Sequence, residues 1–288
     1  MSKPDIYTRR QAKRKKTMSH QAIAVSALAV GVVLLFSALF VWGRWNTSSQ
    51  PAAPQVIDTE CLKSVILPDD QPEIKKKYVG FTVSFNPAYH IPNYAAWELT
   101  CQEAAGDLPR KSKFFSDPDI LGCPTLDDYR NSGFDRGHMA PAGDMKWSAQ
   151  AMSDSHSLAN MCPQDHAVNG GRWASLESKC REWAKRDSAL IIICGPVMTD
   201  EMPQEIGASH VKVPRRFFKV VMSPFSNPPH AIGFIMPNYY TSDGLEQMAC
   251  SVDDVEQITG YNFFACLNDS IEAPMERENN FRFWNRKK

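Results

Sequence analysis

One segment of the sequence, Ala22 to Trp42, has 21 consecutive residues without a charged side chain. As a helix it would be about 30 Å long, which matches the hydrocarbon core of a bilayer. The apolar core of a cleaved signal peptide is usually shorter, about 7–15 residues, and no small-x-small cleavage motif follows Trp42 directly. We therefore predict an uncleaved transmembrane anchor. A signal peptide cleaved near Ala52 and Ala53 is the alternative.

The charges on either side of this segment predict its orientation. Seven Lys and Arg side chains precede it, whereas only Arg44 follows it closely. Because positive charge is retained on the cytoplasmic side, we predict a cytoplasmic basic tail at 1–21, the anchor at 22–42, a polar linker at 43–58 and a folded domain at 59–288. This arrangement favours a bacterial inner membrane, with the domain in the periplasm.

Cysteine usage agrees with an extracytoplasmic domain. All eight cysteines follow the apolar segment, and no two have the Cys-x-x-Cys spacing of a zinc site or redox motif. An oxidising compartment would allow some of them to form disulfides, but the sequence does not choose among about a hundred full pairings. Cys194 ends the apolar run Leu190–Cys194 and is predicted to be a buried thiol.

The net charge of zero conceals an uneven distribution. Residues 1–45 carry eight basic side chains and one acidic side chain, a net charge of +7, so the remaining residues carry −7. A protein that grips nucleic acid over many phosphates is usually strongly basic. The acidic balance of the folded domain therefore predicts that any binding of nucleic acid uses a local basic cleft.

Strand and helix patterns are mixed along the folded domain without strict alternation. Apolar runs predict strands at Lys75–Phe85, Tyr94–Thr100, Leu190–Cys194, Val211–Met222 and His230–Met236. Capping residues and helical spacing predict helices at Ser148–Ser155, Trp173–Asp187 and Val252–Thr259. Residues 101–133 resemble a long surface connection. The pattern predicts the α+β class with a largely antiparallel central sheet.

The segment Asp135-Arg136-Gly137-His138 places a carboxylate, a guanidinium and an imidazole within four residues, with a glycine that lets the backbone turn. Imidazole is the commonest general base, and a guanidinium matches the geometry of phosphate oxygens. His138 alone would more often be structural than catalytic. A functional interpretation therefore needs further residues.

Those residues share one predicted helix. Trp173, Glu177 and Arg181 are spaced i, i+4, i+8 along one face, and Asn169 precedes them. Taken alone, Asn169 would be a helix N-cap and Glu177 with Arg181 a surface ion pair. Together with His138 they fit metal-assisted phosphodiester hydrolysis, because a single carboxamide suits Mg²⁺, which keeps most of its waters.

Three blocks in register resemble the DNA/RNA non-specific endonucleases, the endonuclease G-like branch of the ββα-metal, or His-Me finger, nucleases. Asp135–Pro141 resembles the family's Asp-Arg-Gly-His-Met-Ala-Pro signature, and Leu158–Gln164 resembles its Leu-Ser-Asn-x-x-Pro-Gln run, with Ala159 in place of the serine. Asn169–Glu177 resembles its Asn-x-x-x-Trp-x-x-Leu-Glu helix. The similarity extends over roughly residues 75–270. It implies a ββα-metal nuclease domain after the transmembrane helix.

The resemblance implies a role for each matching residue. His138 would be the general base that deprotonates the attacking water. Asn169 would be the direct protein ligand of Mg²⁺, which Mn²⁺ can replace, and Glu177 would orient the waters of that ion. Arg136 and Arg181 would bind the substrate and stabilise charge on the phosphate in the transition state.

The family also uses an arginine upstream of the signature to bind substrate. Arg110 is the nearest match, and Lys111 and Lys113 are the alternatives. Family members are often dimers, so a homodimer is one expected partner, although no segment of the sequence indicates an interface.

These observations predict an Mg²⁺-dependent endonuclease that cuts DNA and RNA with little sequence specificity, because little in the motifs reads bases. One alternative is a non-catalytic protein that binds nucleic acid on a nuclease fold. Another is an enzyme that hydrolyses a small phosphodiester with the same chemistry.

Overall fold

Seven strands hydrogen-bond into one sheet in the computed structural model, which describes residues 58–110 and 113–286. Every neighbouring pair in this sheet is antiparallel. In spatial order the strands are β12 (Ala249–Cys250), β11 (His230–Pro237), β10 (Arg216–Ser223), β7 (Ala189–Pro196), β4 (Ile91–Thr100), β3 (Thr82–Asn86) and β2 (Ile74–Lys77). The predicted α+β class with an antiparallel central sheet is confirmed.

Smaller elements surround this sheet. Three two-stranded sheets are formed by β1 (Val65–Ile66) with β13 (Asn262–Phe263), β5 (Asp135–His138) with β6 (Met161–Gln164), and β8 (Glu205–Ile206) with β9 (Val211–Lys212). The α-helices of the described residues are α1 (Thr59–Leu62), α2 (Cys101–Ala104), α3 (Leu126–Tyr129), α4 (Ala149–Ser155), α5 (Ala174–Asp187), α6 (Leu245–Met248), α7 (Val252–Thr259), α8 (Asp269–Glu276) and α9 (Phe281–Trp284).

The longest helix, α5, packs on the middle of the sheet. Its buried residues, Leu176, Cys180, Trp183 and Ala184, recur at helical spacing and face β7 and β4. All eight residues of β7 are buried, which explains why its sequence is a continuous apolar run. The hairpin β5–β6 precedes α5 in sequence, so two short strands and a helix carry the segments singled out above.

Local signals predicted several helix ends correctly. The Ser148 hydroxyl accepts a hydrogen bond from the backbone N–H of Ala151 and caps α4. Ser251 caps α7 in the same way, and Gly260, at φ 74°, ends that helix in the left-handed region.

Two predicted strands are wrong because each is divided into two strands in the structure. Lys75–Phe85 is the hairpin β2–β3, since Gly80, at φ 92°, turns the chain in a region that other residues adopt at a cost. Val211–Met222 is two strands in different sheets, β9 and β10. Pro214 lies between them and has no N–H to continue a ladder. The connection predicted over 101–133 contains the short helices α2 and α3.

One disulfide joins the two ends of the described domain. Cys61 in α1 bonds to Cys266, which follows β13. Strand β1 begins four residues after Cys61 and pairs with β13, so the same two segments are also joined by backbone hydrogen bonds. The other six cysteines are free thiols. Cys194 is fully buried, as predicted.

The predicted anchor, Ala22–Trp42, and the basic tail before it lie outside the described residues. Within 58–110 and 113–286, no helix combines the length and the apolar character needed to cross a bilayer.

Candidate active site

The hairpin β5–β6 presents His138 at its end, where His138 pairs with Met161. Gly137 lies opposite Cys162, and a Cβ at Gly137 would collide with the side chain of Gln164. The glycine is therefore required by the close approach of this side chain, and the expectation that it turns the backbone is wrong, because Gly137 lies within a strand.

The loop after His138 is fixed by a buried asparagine. The side chain of Asn160 accepts a hydrogen bond from the N–H of Ala140 (2.9 Å) and donates to the carbonyl oxygens of Ala140 (2.8 Å) and Ser155 (2.9 Å). Two consecutive parts of the sequence signature are thereby bonded to each other. The role of Asn160 is structural support for the site, which the sequence did not indicate.

His138 is buried, with 6% of its surface exposed, and its ring packs against Phe114 and His156. Its carbonyl oxygen accepts a hydrogen bond from the indole N–H of Trp173 (3.1 Å), which joins the hairpin to the start of α5. The Nε2 atom is buried and has no hydrogen-bond partner among the described residues. A nitrogen in this state either is compensated by a bound molecule or costs free energy.

The electrostatic surroundings keep His138 neutral. Burial, and then the charges of Arg110, His156 and Arg136, hold the pKa of His138 well below its usual range. Both effects disfavour the imidazolium form. At neutral pH the ring is therefore unprotonated, which is the form that a general base requires.

Asn169 lies in a π-helical turn, Val168–Trp173, five residues before α5 begins. Its side-chain N–H donates to Oδ2 of Asp135 (2.9 Å), and the same oxygen is 2.9 Å from Nδ1 of His166. The N-cap alternative for Asn169 is therefore wrong. Because the amide nitrogen is held by a carboxylate, the amide oxygen is left as a free acceptor.

Glu177 follows Trp173 by one turn on α5 and is half-buried. Burial raises its pKa to about 7, a shift that the Lys219 charge opposes and the Asp144 charge reinforces. Its carboxylate accepts no hydrogen bond from any described residue. An acid in this environment is divided between its two protonation states near neutral pH, and a nearby cation would favour the carboxylate.

Arg181 is bonded to a residue that sequence reasoning missed. Its Nη1 donates to Oδ1 of Asp144 (2.8 Å), whose other oxygen accepts the indole N–H of Trp97 (3.2 Å). Asp144 is 1% exposed, so the ion pair is buried on that side. The alternative in which Glu177 and Arg181 form a surface ion pair is therefore wrong, because the partner of Arg181 is Asp144.

Lys219, in the central strand β10, is a further residue that the sequence did not indicate. It is 1% exposed, and its ammonium lies 4.2 Å from the ring centroid of Trp173 and 5.3 Å from that of Trp97. A buried cation in contact with two indole faces is partly compensated for its lost hydration. No pattern in an apolar strand distinguishes such a lysine from an exposed one.

Arg136 and Arg110 line an open cleft together with Phe114, Asp135 and Asn169. The guanidinium of Arg136 stacks 4.5 Å from the ring centroid of Phe114. Neither arginine forms an ion pair with a described residue. The positive charge of both side chains is therefore available to a ligand in the cleft. Of the two alternatives to Arg110, Lys113 is exposed and Lys111 lies outside the described residues.

The donor atoms in this region fit a hard, well-hydrated cation. The free oxygen of Asn169 and the unbonded carboxylate of Glu177 are both oxygen donors, which Mg²⁺ and Mn²⁺ prefer. Among the described residues, no group of three His, Cys, Asp or Glu side chains converges here. A cation bound at this place would therefore keep most of its waters.

Glu177 gives the protein a testable pH dependence in the absence of metal. A carboxyl whose pKa is raised on folding binds more protons when folded, so its contribution to stability falls as the pH rises from about 4.5 to about 7. We expect Glu177→Gln to raise the free energy of unfolding relative to the parent at about pH 8.5, and to have little effect at about pH 4.5. Urea unfolding in EDTA at both pH values measures this, with the exposed Glu182→Gln as the control. An equal effect at both pH values would contradict the assignment.

The comparisons with known proteins agree with these features. Residues 62–270 match the family model described as DNA/RNA non-specific endonuclease. The chain is 31% identical over 252 residues to the mitochondrial nuclease EXOG of Xenopus laevis, covering 81% of this chain and 69% of that protein. It is 33% identical over 211 residues to the human protein of that name, covering 66% of this chain but only 57% of that protein.

Two further relatives extend the comparison. Nuclease C1 of Cunninghamella echinulata is 34% identical over 208 residues, covering 66% of this chain and 82% of that protein. Among solved structures, a chain from the crystal structure of an EndoG/EndoGI complex superposes with a TM-score of 0.65 at 26% identity. The superposition covers 68% of this chain and 88% of that chain.

Proposed function

Because this chain belongs to the DNA/RNA non-specific endonuclease family, we propose that it is an endonuclease that hydrolyses internal phosphodiester bonds of DNA and RNA. The observation that carries the proposal is a cleft lined by Arg110, Arg136 and Asn169, in which neither arginine has an ion-pair partner among the described residues. The charge of Arg110 acts on both His138 and Glu177, which supports a position of these two side chains near the same cleft. A neutral buried base, two free oxygen donors and unpaired positive charge are what phosphodiester hydrolysis needs.

In this proposal His138 accepts the proton of the attacking water, since its lowered pKa keeps the ring neutral. Asn169 would hold Mg²⁺ or Mn²⁺ as its direct protein ligand, and Glu177 would orient the waters of that ion. When bound, the cation supplies positive charge to the scissile phosphate. Asp135 positions Asn169 by accepting its N–H.

The arginines stabilise the charge that accumulates on the phosphate oxygens. Arg136 is the best placed, because stacking on Phe114 orients it without neutralising it. Arg110, which precedes Phe114 in sequence and lines the same cleft, adds a second positive charge. Arg181 is partly neutralised, because one of its nitrogens forms an ion pair with buried Asp144. The exposed 23% of its side chain leaves part of the guanidinium accessible to substrate.

The substrate follows from which groups the mechanism uses. None of these residues requires a 2′-hydroxyl, so both DNA and RNA can react, and contacts to phosphate carry no sequence information. Incubation with supercoiled plasmid, with RNA and with a small chromogenic phosphodiester, each with Mg²⁺ and with EDTA, tests the proposal. Cleavage of both polymers that EDTA abolishes is expected. Binding without cleavage would support a non-catalytic protein, and turnover of the small diester alone would support the other alternative.

We further propose that Ala22–Trp42 is an uncleaved anchor that holds the domain in the bacterial periplasm. The support is the length of the apolar segment and the seven positive charges that precede it. Protease added to spheroplasts should digest the domain and spare the N-terminal tail, as a tag at each end would report. A soluble product that begins near Ala53 would instead identify a cleaved signal peptide.

A further inference from the structure

A cluster of carboxylates lies between α7 and α8. The ligand oxygens of Asp253, Glu256 and Glu276 all lie within 4.8 Å of one another. None of these residues lines the cleft that contains Arg136 and Asn169.

The positions of two carboxylates in the cluster are explained by their contacts within the protein. Asp253 lies in the first turn of α7, where a negative charge is favoured by the helix dipole. Glu256 accepts a hydrogen bond from the backbone N–H of Phe263 (2.7 Å). These two carboxylates alone would not indicate a ligand.

No comparable contact explains the position of Glu276. It is 5% exposed, its Oε1 atom is buried, and that atom has no hydrogen-bond partner among the described residues. A buried carboxylate without a partner is destabilising unless a proton or a cation compensates it. Its position as the last residue of α8 adds the partial negative charge of the carbonyl end of that helix.

The surrounding charges do not supply the compensation. Burial, and then the negative charges of Glu256 and Glu272, raise the pKa of Glu276 to about 8. Glu272 lies one turn earlier on α8. Among the described residues, the three carboxylates form one ion pair, between Asp253 and Arg277, whose Nε is 4.0 Å away and whose side chain is 72% exposed. An exposed pair at this distance provides little stabilisation.

We propose that Asp253, Glu256 and Glu276 form a structural cation site that binds Ca²⁺ and joins α7 to the end of α8. Calcium takes six to eight oxygen ligands at about 2.3–2.6 Å, so oxygens on opposite sides of the ion lie about 4.6–5.2 Å apart. Three carboxylates within 4.8 Å of one another can therefore contact one ion, and water reaches it beside Asp253, whose side chain is 46% exposed. All-oxygen donors exclude a preference for zinc or copper.

The test is a calorimetric titration of the full-length protein with CaCl₂, in a buffer above the pKa of Glu276. We expect a single site with a Kd of about 10⁻⁴–10⁻³ M, typical of extracellular calcium modules. Glu276→Gln should weaken it at least about tenfold. Asp253→Asn, on the exposed side, should do the same and keeps the test decisive if the buried variant does not fold. Glu272→Gln removes the same charge from the same helix and should retain binding.

The titration is repeated in Asn169→Ala, so that an ion in the cleft is not mistaken for this one. The same isotherm in both proteins supports the proposal, and its loss in Asn169→Ala would overturn it. The absence of binding, or binding that Glu276→Gln leaves unchanged, would overturn the proposal. An equal rise in the Tm of Asn169→Ala with Mg²⁺ and with Ca²⁺ would refute the assignment to calcium. None of these results depends on whether the protein cleaves nucleic acid.

Discussion

His138→Ala is expected to lower the rate of plasmid cleavage by about 10²–10⁴-fold, the usual effect of losing a general base. The expectation rests on an imidazole that burial and neighbouring positive charges hold in its neutral form. The measurement is the initial rate of plasmid nicking, together with near-UV circular dichroism to establish that the variant is folded.

Removing a buried ring also removes packing, so the variant needs a matched control. His156 is buried beside His138, packs against the same Phe114 and bonds to the carbonyl of Met152. His156→Ala creates a comparable cavity without removing the proposed base, and should retain a much higher rate than His138→Ala. A folded His138→Ala protein that cuts within a few-fold of the parent would eliminate His138 as the base.

Asn169→Ala is expected to abolish most of the cleavage and to weaken the dependence on Mg²⁺, because it removes the proposed direct ligand. Loss of a helix cap cannot produce this result, since α5 begins five residues later. Asn169→Asp keeps an oxygen ligand but places a carboxylate against Asp135, in place of the 2.9 Å hydrogen bond. It should fold and show an altered metal requirement.

The deciding measurement is the cleavage rate as a function of Mg²⁺ concentration, for the parent and both variants, under conditions in which all are folded. Asp135→Asn serves as the companion variant, because it keeps Asn169 but removes the charge that orients it. Its effect should be smaller than that of Asn169→Ala, and second-sphere changes typically cost about 10–100-fold in metal affinity. Identical curves for the parent and Asn169→Ala would leave the ion without its proposed protein ligand.

Local chemistry explains why some elements were predictable from the sequence. Ser148 and Ser251 each satisfy backbone N–H groups within their own helix, so the sequence contains the signal and its reason together. The sequence of Lys75–Phe85 was interpreted as one strand because strand-forming residues continue on both sides of Gly80. In the structure the chain reverses direction there. Whether a turn or a strand forms at such a glycine depends on contacts with distant segments.

The same distinction applies to the candidate site. His138, Asn169 and Glu177 could be predicted as candidates because chemistry restricts their types and spacing. Asp144 and Lys219 were missed because each acts through residues far away in sequence. The Arg181–Asp144 bond spans 37 residues, and no periodicity within either segment indicates it.

Asn169 shows the limit of interpreting a residue from its position. An asparagine before a helix usually satisfies backbone N–H groups. Here its amide nitrogen instead donates to Asp135, 34 residues earlier, and no described residue donates a hydrogen bond to its amide oxygen. The sequence contained both residues but not the bond between them.

The bond between Cys61 and Cys266 determines how the domain responds to proteolytic nicking. Every loop of the hairpin region and of the central sheet lies between these two cysteines. A single cut in any of those loops therefore yields two fragments that remain covalently joined. The nicked molecule migrates as one band without reductant and as two bands with it. Since the fragments cannot diffuse apart, the sheet can re-form after transient opening, and a nicked enzyme in a protease-rich compartment keeps the parts of its active site together.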